Sequence, residues 1–322
     1  MLYPLAFQPR FKDRIWGGRQ IESLFGKELP PDRLIGESWE ISDRPGDVSV
    51  VANGPLAGKD LRWLMENFQE ALMGSARPTR GRFPLLVKIL DAQEKLSLQV
   101  HPPSAAAANM GDEPKTEMWY VVDAVPDAEL YLGLKRGTTR QEFERRIKDS
   151  SVQDCFHRIK VRRGDSVFLP SGRVHALGAG LVIFEVQQNS DTTYRVHDWD
   201  RLDTSGNARE LHISEALASI DFDDIEPPIM RAESSMVTGG SRELVSDPVF
   251  QVSEELWNQG CHVVGIDGRP VVIGMISGAA TVEGNGVSLE LVSGGFALLP
   301  ACLSKVTLAC ASPVRLIRAT PG

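Results

Sequence analysis

His101 closes the run Lys95-Leu-Ser-Leu-Gln-Val-His101, where polar and apolar residues alternate until Pro102-Pro103 stops the pattern. In an extended strand alternate side chains share a face, so Ser97, Gln99 and His101 point one way and Leu96, Leu98 and Val100 the other. A polar row inside a barrel, backed by an apolar row, builds a ligand site; an exposed amphipathic strand is the plainer alternative. Two further residues favour the site. Glu117 opens the aromatic, β-branched run Met118–Val122 and can hang inward beside His101. His175 ends Gly164-Asp-Ser-Val-Phe-Leu-Pro-Ser-Gly-Arg-Val-His175, a strand closed by a Pro-x-Gly turn with a histidine just beyond it. Alone, His175 would read as structural; the frame around it sets it apart. Two histidines, one carboxylate and Gln99 suit a borderline divalent cation, and two histidines with a carboxylate and an open position are a common catalytic zinc set.

The elements that must position these residues are mostly strands. Glycine and proline recur, and the segments between them are short and β-branched, as in Gly81–Leu90, Asp165–Leu169 and Leu181–Gln187. Three helices are predicted: Asp60 to Leu72, Thr139 to Ile147, and Ser214 to Ile220. Thr139 and Glu142 stand in capping-box spacing. The frames Gly164-x5-Pro170 and Gly294-x5-Pro300 lie about 130 residues apart, roughly one domain length, and suggest two copies of one β-barrel unit. The expected division is a catalytic unit over 1–220, a linker over 221–240 containing Pro227-Pro228, and a degenerate barrel over 241–322. The second frame continues Ala301-Cys-Leu-Ser-Lys305, without a histidine or acid where the first has His175, so one metal per chain is expected.

Composition excludes other classes. The 322 residues are 42% hydrophobic and 24% charged, as in ordinary soluble globular proteins. The N-terminal residues do not form a basic segment followed by a long apolar run, and there is no 18-residue apolar window; a cytoplasmic protein is expected, with no membrane partner. Cys155, Cys261, Cys302 and Cys310 are scattered, which fits free thiols rather than disulfides or a cysteine-ligated zinc. A net charge of −8 argues against nucleic acid as a partner. No protein partner is required.

Gly164 to His175 resembles the second cupin motif, and Gln99-Val-His101 with Glu117 the first, with glutamine in place of the leading histidine. Phe83-Pro-Leu-Leu-Val-Lys-Ile-Leu90, Leu98-Gln-Val-His-Pro102, Lys115-Thr-Glu117, Asp191-Thr-Thr-Tyr-Arg-Val-His-Asp-Trp-Asp-Arg201 and Arg14-Ile-Trp-Gly-Gly18 together resemble the short bacterial type I mannose-6-phosphate isomerases. The resemblance runs from about residue 5 to about residue 215 and implies tandem cupin jelly-roll barrels, all-β dominated, the second degenerate. It implies one zinc on Gln99, His101, Glu117 and His175, with Arg195 catalytic. Lys115 and Glu185 fall among the family's catalytic polar residues, and Ser97 and Trp16 among those expected to touch the substrate. His197 departs from the family, where an aromatic residue is commoner.

The implied reaction moves a proton between adjacent carbons of a sugar phosphate through a cis-enediol. A cation such as zinc or a guanidinium can stabilise the charge that develops. Glu185, Lys115 or a metal-bound water can carry the proton, and Arg195 can hold the enediolate or the phosphate; its plainer reading is an ion pair with Asp198 or Asp200. Two rival functions stand beside the isomerase: another metal-cupin enzyme, such as an oxygenase, and a non-catalytic sugar-binding or regulatory cupin.

Overall fold

The computed structural model describes residues 1–202, 206–232 and 239–322. The first part of the chain contributes β1 (Arg10–Gly18), β2 (Ile35–Ile41), β3 (Asp43–Arg44), β4 (Asp47–Val48), β5 (Leu85–Ala92), β6 (Leu98–Val100), β7 (Glu117–Ala124), β8 (Glu129–Leu134), β9 (Phe156–Lys160), β10 (Ser166–Leu169), β11 (His175–Leu177), β12 (Leu181–Gln188) and β13 (Tyr194–His197). The rest contributes β14 (Ser241–Ser246), β15 (Phe250–Trp257), β16 (Gly260–Gly265), β17 (Val271–Ser277), β18 (Ala279–Gly284), β19 (Val287–Val292), β20 (Phe296–Leu299), β21 (Lys305–Cys310) and β22 (Val314–Pro321).

Four larger sheets result. In the first half the order β1-β2-β5-β12-β7-β10 faces β13-β6-β11-β8-β9; in the second, β14-β15-β22-β17-β20 faces β16-β21-β18-β19. Strands β2-β5-β12-β7-β10 match β14-β15-β22-β17-β20, and β6-β11-β8-β9 match β16-β21-β18-β19, in chain order and in neighbours. The repeat seen in the two Gly-x5-Pro frames is therefore a repeat of a whole jelly roll, with each pair of sheets stacked rather than joined into a continuous ring.

The period of two along each strand sorts side chains between layers. On β7, Trp119 and Val121 turn inward to a core shared with Leu130, Leu132 and Leu177 of the facing sheet. Met118, Tyr120 and Val122 turn outward to a larger core that also holds Phe250, Val272, Leu298 and Ile317 of the second half. The six-stranded sheet is thus buried on both faces, which explains the near-continuous apolar burial of β5 and β12. A polar knot crosses this shared core. Glu254 on β15 accepts from Tyr120 Oη at 2.7 Å and pairs with Arg242 at 2.6 Å and with Arg315. The N-terminal residues also cross, with Leu5 bridging Leu298.

The predicted helices form as α2 (Leu61–Met73), capped by the Asp60 carboxylate on the Trp63 amide, α4 (Arg140–Lys148), capped by Thr139 on the Glu142 amide, and α5 (Ile213–Ser219). Short α1 (Gln20–Phe25) and α3 (Ser104–Met110) escape the sequence reading, since neither has a side-chain N-cap or more than one fully buried residue. The strand predicted over Lys95–His101 keeps regular pairing only at Leu98–Val100. Within the segment 221–240, residues 233–238 lie outside the described residues; before them, Ile225 and Met230 bridge back to Leu134 and Ser166.

Candidate metal centre and cavity

Three elements converge between the sheets of the first jelly roll. His175 opens β11 and lies directly opposite Gln99 of β6; His101 follows β6 at the Pro102-Pro103 stop; Glu117 opens β7. Glu117 Oε2 is 3.4 Å from His101 Nε2, and Oε1 is 3.4 Å from His175 Nε2. All three side chains are buried, and one ligand atom from each lies within 4.8 Å of the others. Gln99 joins them, its amide nitrogen 3.3 Å from His175 Nε2 and its carbonyl accepting from Ser97 Oγ at 3.2 Å. Exchanging the amide's nitrogen and oxygen keeps the Ser97 contact, with the amide now donating, and turns the carbonyl toward the cluster.

The imidazoles are set up as ligands. His101 Nδ1 lies 2.8 Å from the Thr192 carbonyl and His175 Nδ1 lies 3.0 Å from that of Arg173. A carbonyl only accepts, so each Nδ1 carries the hydrogen and each Nε2 presents a lone pair to Glu117. Both Glu117 carboxylate oxygens are buried, and apart from the Lys115 ammonium neither has a hydrogen-bond donor. A buried carboxylate so placed calls for a cation. Part of that role falls to Lys115, whose Nζ is 2.9 Å from Glu117 Oε2 and 3.2 Å from His101 Nε2. Burial, with the Lys115 charge second, pushes the His101 pKa down to about 4; burial likewise lowers that of His175. Burial alone would raise Glu117, but Lys115 and the two imidazoles outweigh it and hold the carboxyl well below its usual range. The donor set is neutral nitrogen, ionised oxygen and amide oxygen at one point, which fits a zinc-sized cation.

This cluster adjoins a cavity of about 420 Å³ whose lining includes Trp16, Ser97, Gln99, Lys115, Glu185 and Arg195. Glu185 on β12 accepts from Trp119 Nε1 at 2.9 Å and lies 3.0 Å from Lys88 Nζ. Trp16 is a buried wall residue packed with the core around Leu90 and Leu96. Arg195 on β13 is half-buried, and its Nε has no partner. Asp198 is occupied by Arg201 and Arg209, and among the described residues Arg195 makes no ion pair with Asp198 or Asp200. Burial, then the neighbouring Arg209, lowers its pKa. His197 is outside the lining and stacks edge-on against Trp199, ring centres 5.2 Å apart.

Six charged lining residues were not picked out from the sequence: Asp13, Arg14, Glu37, Lys88, Asp191 and Arg209. Lys88 sits in the buried strand β5 and donates to Gln187 Oε1 at 2.7 Å; Glu185 and Glu37 outweigh its burial and hold it charged. Glu37 would be raised by burial, but Lys88 and Arg14 bring it to about 2. The available signal was a lysine amid Pro-Leu-Leu-Val and Ile-Leu, and a glutamate in the buried run Gly36-Glu-Ser-Trp39: charges in strands otherwise covered on both faces.

Residues 5–141 match the phosphomannose isomerase type I catalytic domain. The chain is 36% identical over 311 residues, 96% of each chain, to the probable mannose-6-phosphate isomerase GmuF of Bacillus subtilis. The chain belongs to the type I phosphomannose isomerase family. It is therefore an aldose–ketose isomerase. The crystal structure of the mannose 6-phosphate isomerase from Bacillus subtilis superposes with a TM-score of 0.84 at 32% identity, covering 99% of both chains. A zinc-bound mannose 6-phosphate isomerase with 17% identity shares the fold, with a TM-score of 0.78 and 99% of both chains covered.

Proposed function

We propose that this isomerase interconverts mannose 6-phosphate and fructose 6-phosphate through a cis-enediol, with one zinc held by Gln99, His101, Glu117 and His175. The observation that carries the reading is the Glu117 carboxylate, buried between two imidazole lone pairs with only Lys115 as a cationic partner, beside a cavity of sugar size. Bound zinc supplies Lewis acidity toward the oxygens of the reacting carbons.

The remaining roles belong to the chain. Arg195 offers an unpaired guanidinium fork to an anionic oxygen pair of the substrate, supported by the positive field of Arg14 and Arg209. Glu185 moves the carbon-bound proton; Lys88 and Trp119 fix its carboxylate from two sides so that it meets the substrate in one orientation. Lys115 donates to a substrate oxygen while neutralising Glu117, and Ser97 and Trp16 shape the wall. Residues 1–220 act as the catalytic unit, 221–240 as its linker and 241–322 as the degenerate barrel. The enzyme works in the cytoplasm, and this chemistry requires no nucleic acid, membrane or protein partner. Among the described residues no helix is long and apolar enough to cross a membrane.

Turnover of mannose 6-phosphate in D2O tests the mechanism. Deuterium should enter the product at the exchanged carbon, and Glu185→Gln should lose both exchange and turnover while keeping zinc. Turnover without any solvent exchange would indicate hydride shift and overturn the enediol route.

A further inference from the structure

The two jelly rolls can be compared position by position through their strand pairing. Aligning Gly164 with Gly294 sets Val167 against Ala297, and these pair with Trp119 and Ile273. Trp119 pairs with Glu185, and Ile273 with Arg318. Glu185 pairs with Lys88, and Arg318 with Ser253; Lys88 pairs with Trp39, and Ser253 with Glu243. The row Trp39, Lys88, Glu185, Trp119 across the catalytic cavity therefore has Glu243, Ser253, Arg318, Ile273 as its counterpart. Val271 stands where Glu117 stands, Lys305 where His175 stands and Gly265 where Gln99 stands, so three of the four ligand positions have lost their donor and Asp267 alone, at the His101 position, keeps one.

The cavity is not gone. A hollow of about 360 Å³ opens on this same inner face, with Gln251, Ser253, Glu255, Arg269 and Arg318 in its lining. Arg318 donates to the Gly265 carbonyl at 2.8 Å, and Arg269 to the Pro321 carbonyl at 3.1 Å and to Gln251 Oε1 at 3.2 Å. Each guanidinium is thereby anchored while keeping further N–H groups to give. Beside them Glu255 accepts from Trp257 Nε1 at 2.9 Å, and a neighbouring hollow of about 350 Å³ shares Glu255 and Arg318 and is walled by Trp257 and His262.

Charge and donor pattern decide the ligand class. Three acids, Glu243, Glu255 and Asp267, outnumber two arginines in the lining, which disfavours phosphate and other anions. Carboxylate, amide, hydroxyl and guanidinium side by side suit groups that donate and accept at once, which is the property of sugar hydroxyls. We propose that the second jelly roll binds an uncharged, closed-ring sugar in the metal-free counterpart of the catalytic cavity, with Arg318, Ser253, Glu255 and Gln251 as its contacts.

Titration of the full-length, zinc-loaded enzyme with methyl α-D-mannopyranoside, which has neither phosphate nor an open chain to isomerise, tests this by calorimetry and saturation-transfer NMR. Saturable binding is expected, weakened about tenfold by Arg318→Ala, the loss of a charged hydrogen-bond donor. Because Arg318 also anchors Gly265, Gln251→Ala at the exposed cavity edge serves as the second variant; it should weaken binding with isomerase turnover unchanged. Binding should persist in His175→Ala. No saturable signal, or binding lost in His175→Ala and kept in both Arg318→Ala and Gln251→Ala, would overturn the proposal, the latter by placing the glycoside in the catalytic cavity.

Discussion

The first and second jelly rolls share connectivity strand for strand, yet among the described residues only the first gathers metal donors. In the first, Lys88, Glu185 and Glu37 form a buried charged group lining the cavity that adjoins His101, Glu117 and His175. In the second the equivalent inner face carries Ser253, Arg318 and Ile273, with Val271 and Lys305 at the ligand positions. Topology supplies a hollow on the inner face of the larger sheet in both, and a few register positions decide whether it holds a cation. Buried unpaired charge is costly. The first hollow offsets that cost with counter-charges on adjacent strands, whereas the second replaces the ligands with an aliphatic side chain and an exposed lysine.

The largest break in this comparison comes from removing a ligand. His175→Ala or His101→Ala should abolish zinc retention and isomerase activity together while the second core stays folded. Stoichiometric zinc in an active His175→Ala protein, measured by elemental analysis, would end the assignment. Chelation of the wild type should reproduce the loss, and added zinc should restore activity.

Acid should next separate the two halves. An unfolded imidazole protonates near 6.5, whereas folded His101 resists down to about 4. Between these values the unfolded state binds more protons, so stability of the metal-free chain falls as pH drops through the window, by on the order of 3 kcal/mol for this one group. The second half buries no histidine, since His262 is only half-buried. Thermal melts of chelated protein from pH 6.5 to 4 should show the midpoint falling, and His101→Asn should flatten the slope. An equal slope in both proteins would place the acid sensitivity elsewhere.

Much of this contrast was legible in the residues. His101, Glu117 and His175 were marked by alternation, a strand-opening acid and a turn frame, all of them local patterns. The strand-level repeat showed only as two matching Gly-x5-Pro frames, because the remaining strands of the copies retain apolar alternation without identity. Lys88 and Glu37 were hidden for a different reason. Their burial depends on β2 and β5 lying mid-sheet with cores on both faces, a nonlocal fact that one strand's sequence does not carry. Arg195 was marked by its segment, but its freedom from Asp198 depends on Arg201 and Arg209 having already engaged that carboxylate.

Arg195→Lys tests that freedom at a smaller scale. Lysine keeps the charge and loses the fork, so turnover or substrate binding should fall about tenfold, near 1.4 kcal/mol, with zinc content and melting temperature unchanged. A surface ion pair would be worth about 0–1 kcal/mol and leave the kinetics intact. Wild-type kinetics in a zinc-loaded variant would remove Arg195 from the active site.

The smallest expected effect is the most exacting for the comparison. Lys305 is the exposed counterpart of His175, and Lys305→His restores one ligand type to the second jelly roll. One imidazole does not make a site: Val271 offers no carboxylate in place of Glu117, and Gly265, which pairs with Lys305 as Gln99 pairs with His175, offers no side chain. An exposed substitution away from any buried network should shift stability by less than about 0.5 kcal/mol. The variant should still bind one zinc per chain and turn over at the wild-type rate. A second tightly held zinc in Lys305→His would mean that the hollow alone, without the carboxylate and amide donors, is enough to define a metal centre, and the division of labour between the two jelly rolls would then rest on a single residue.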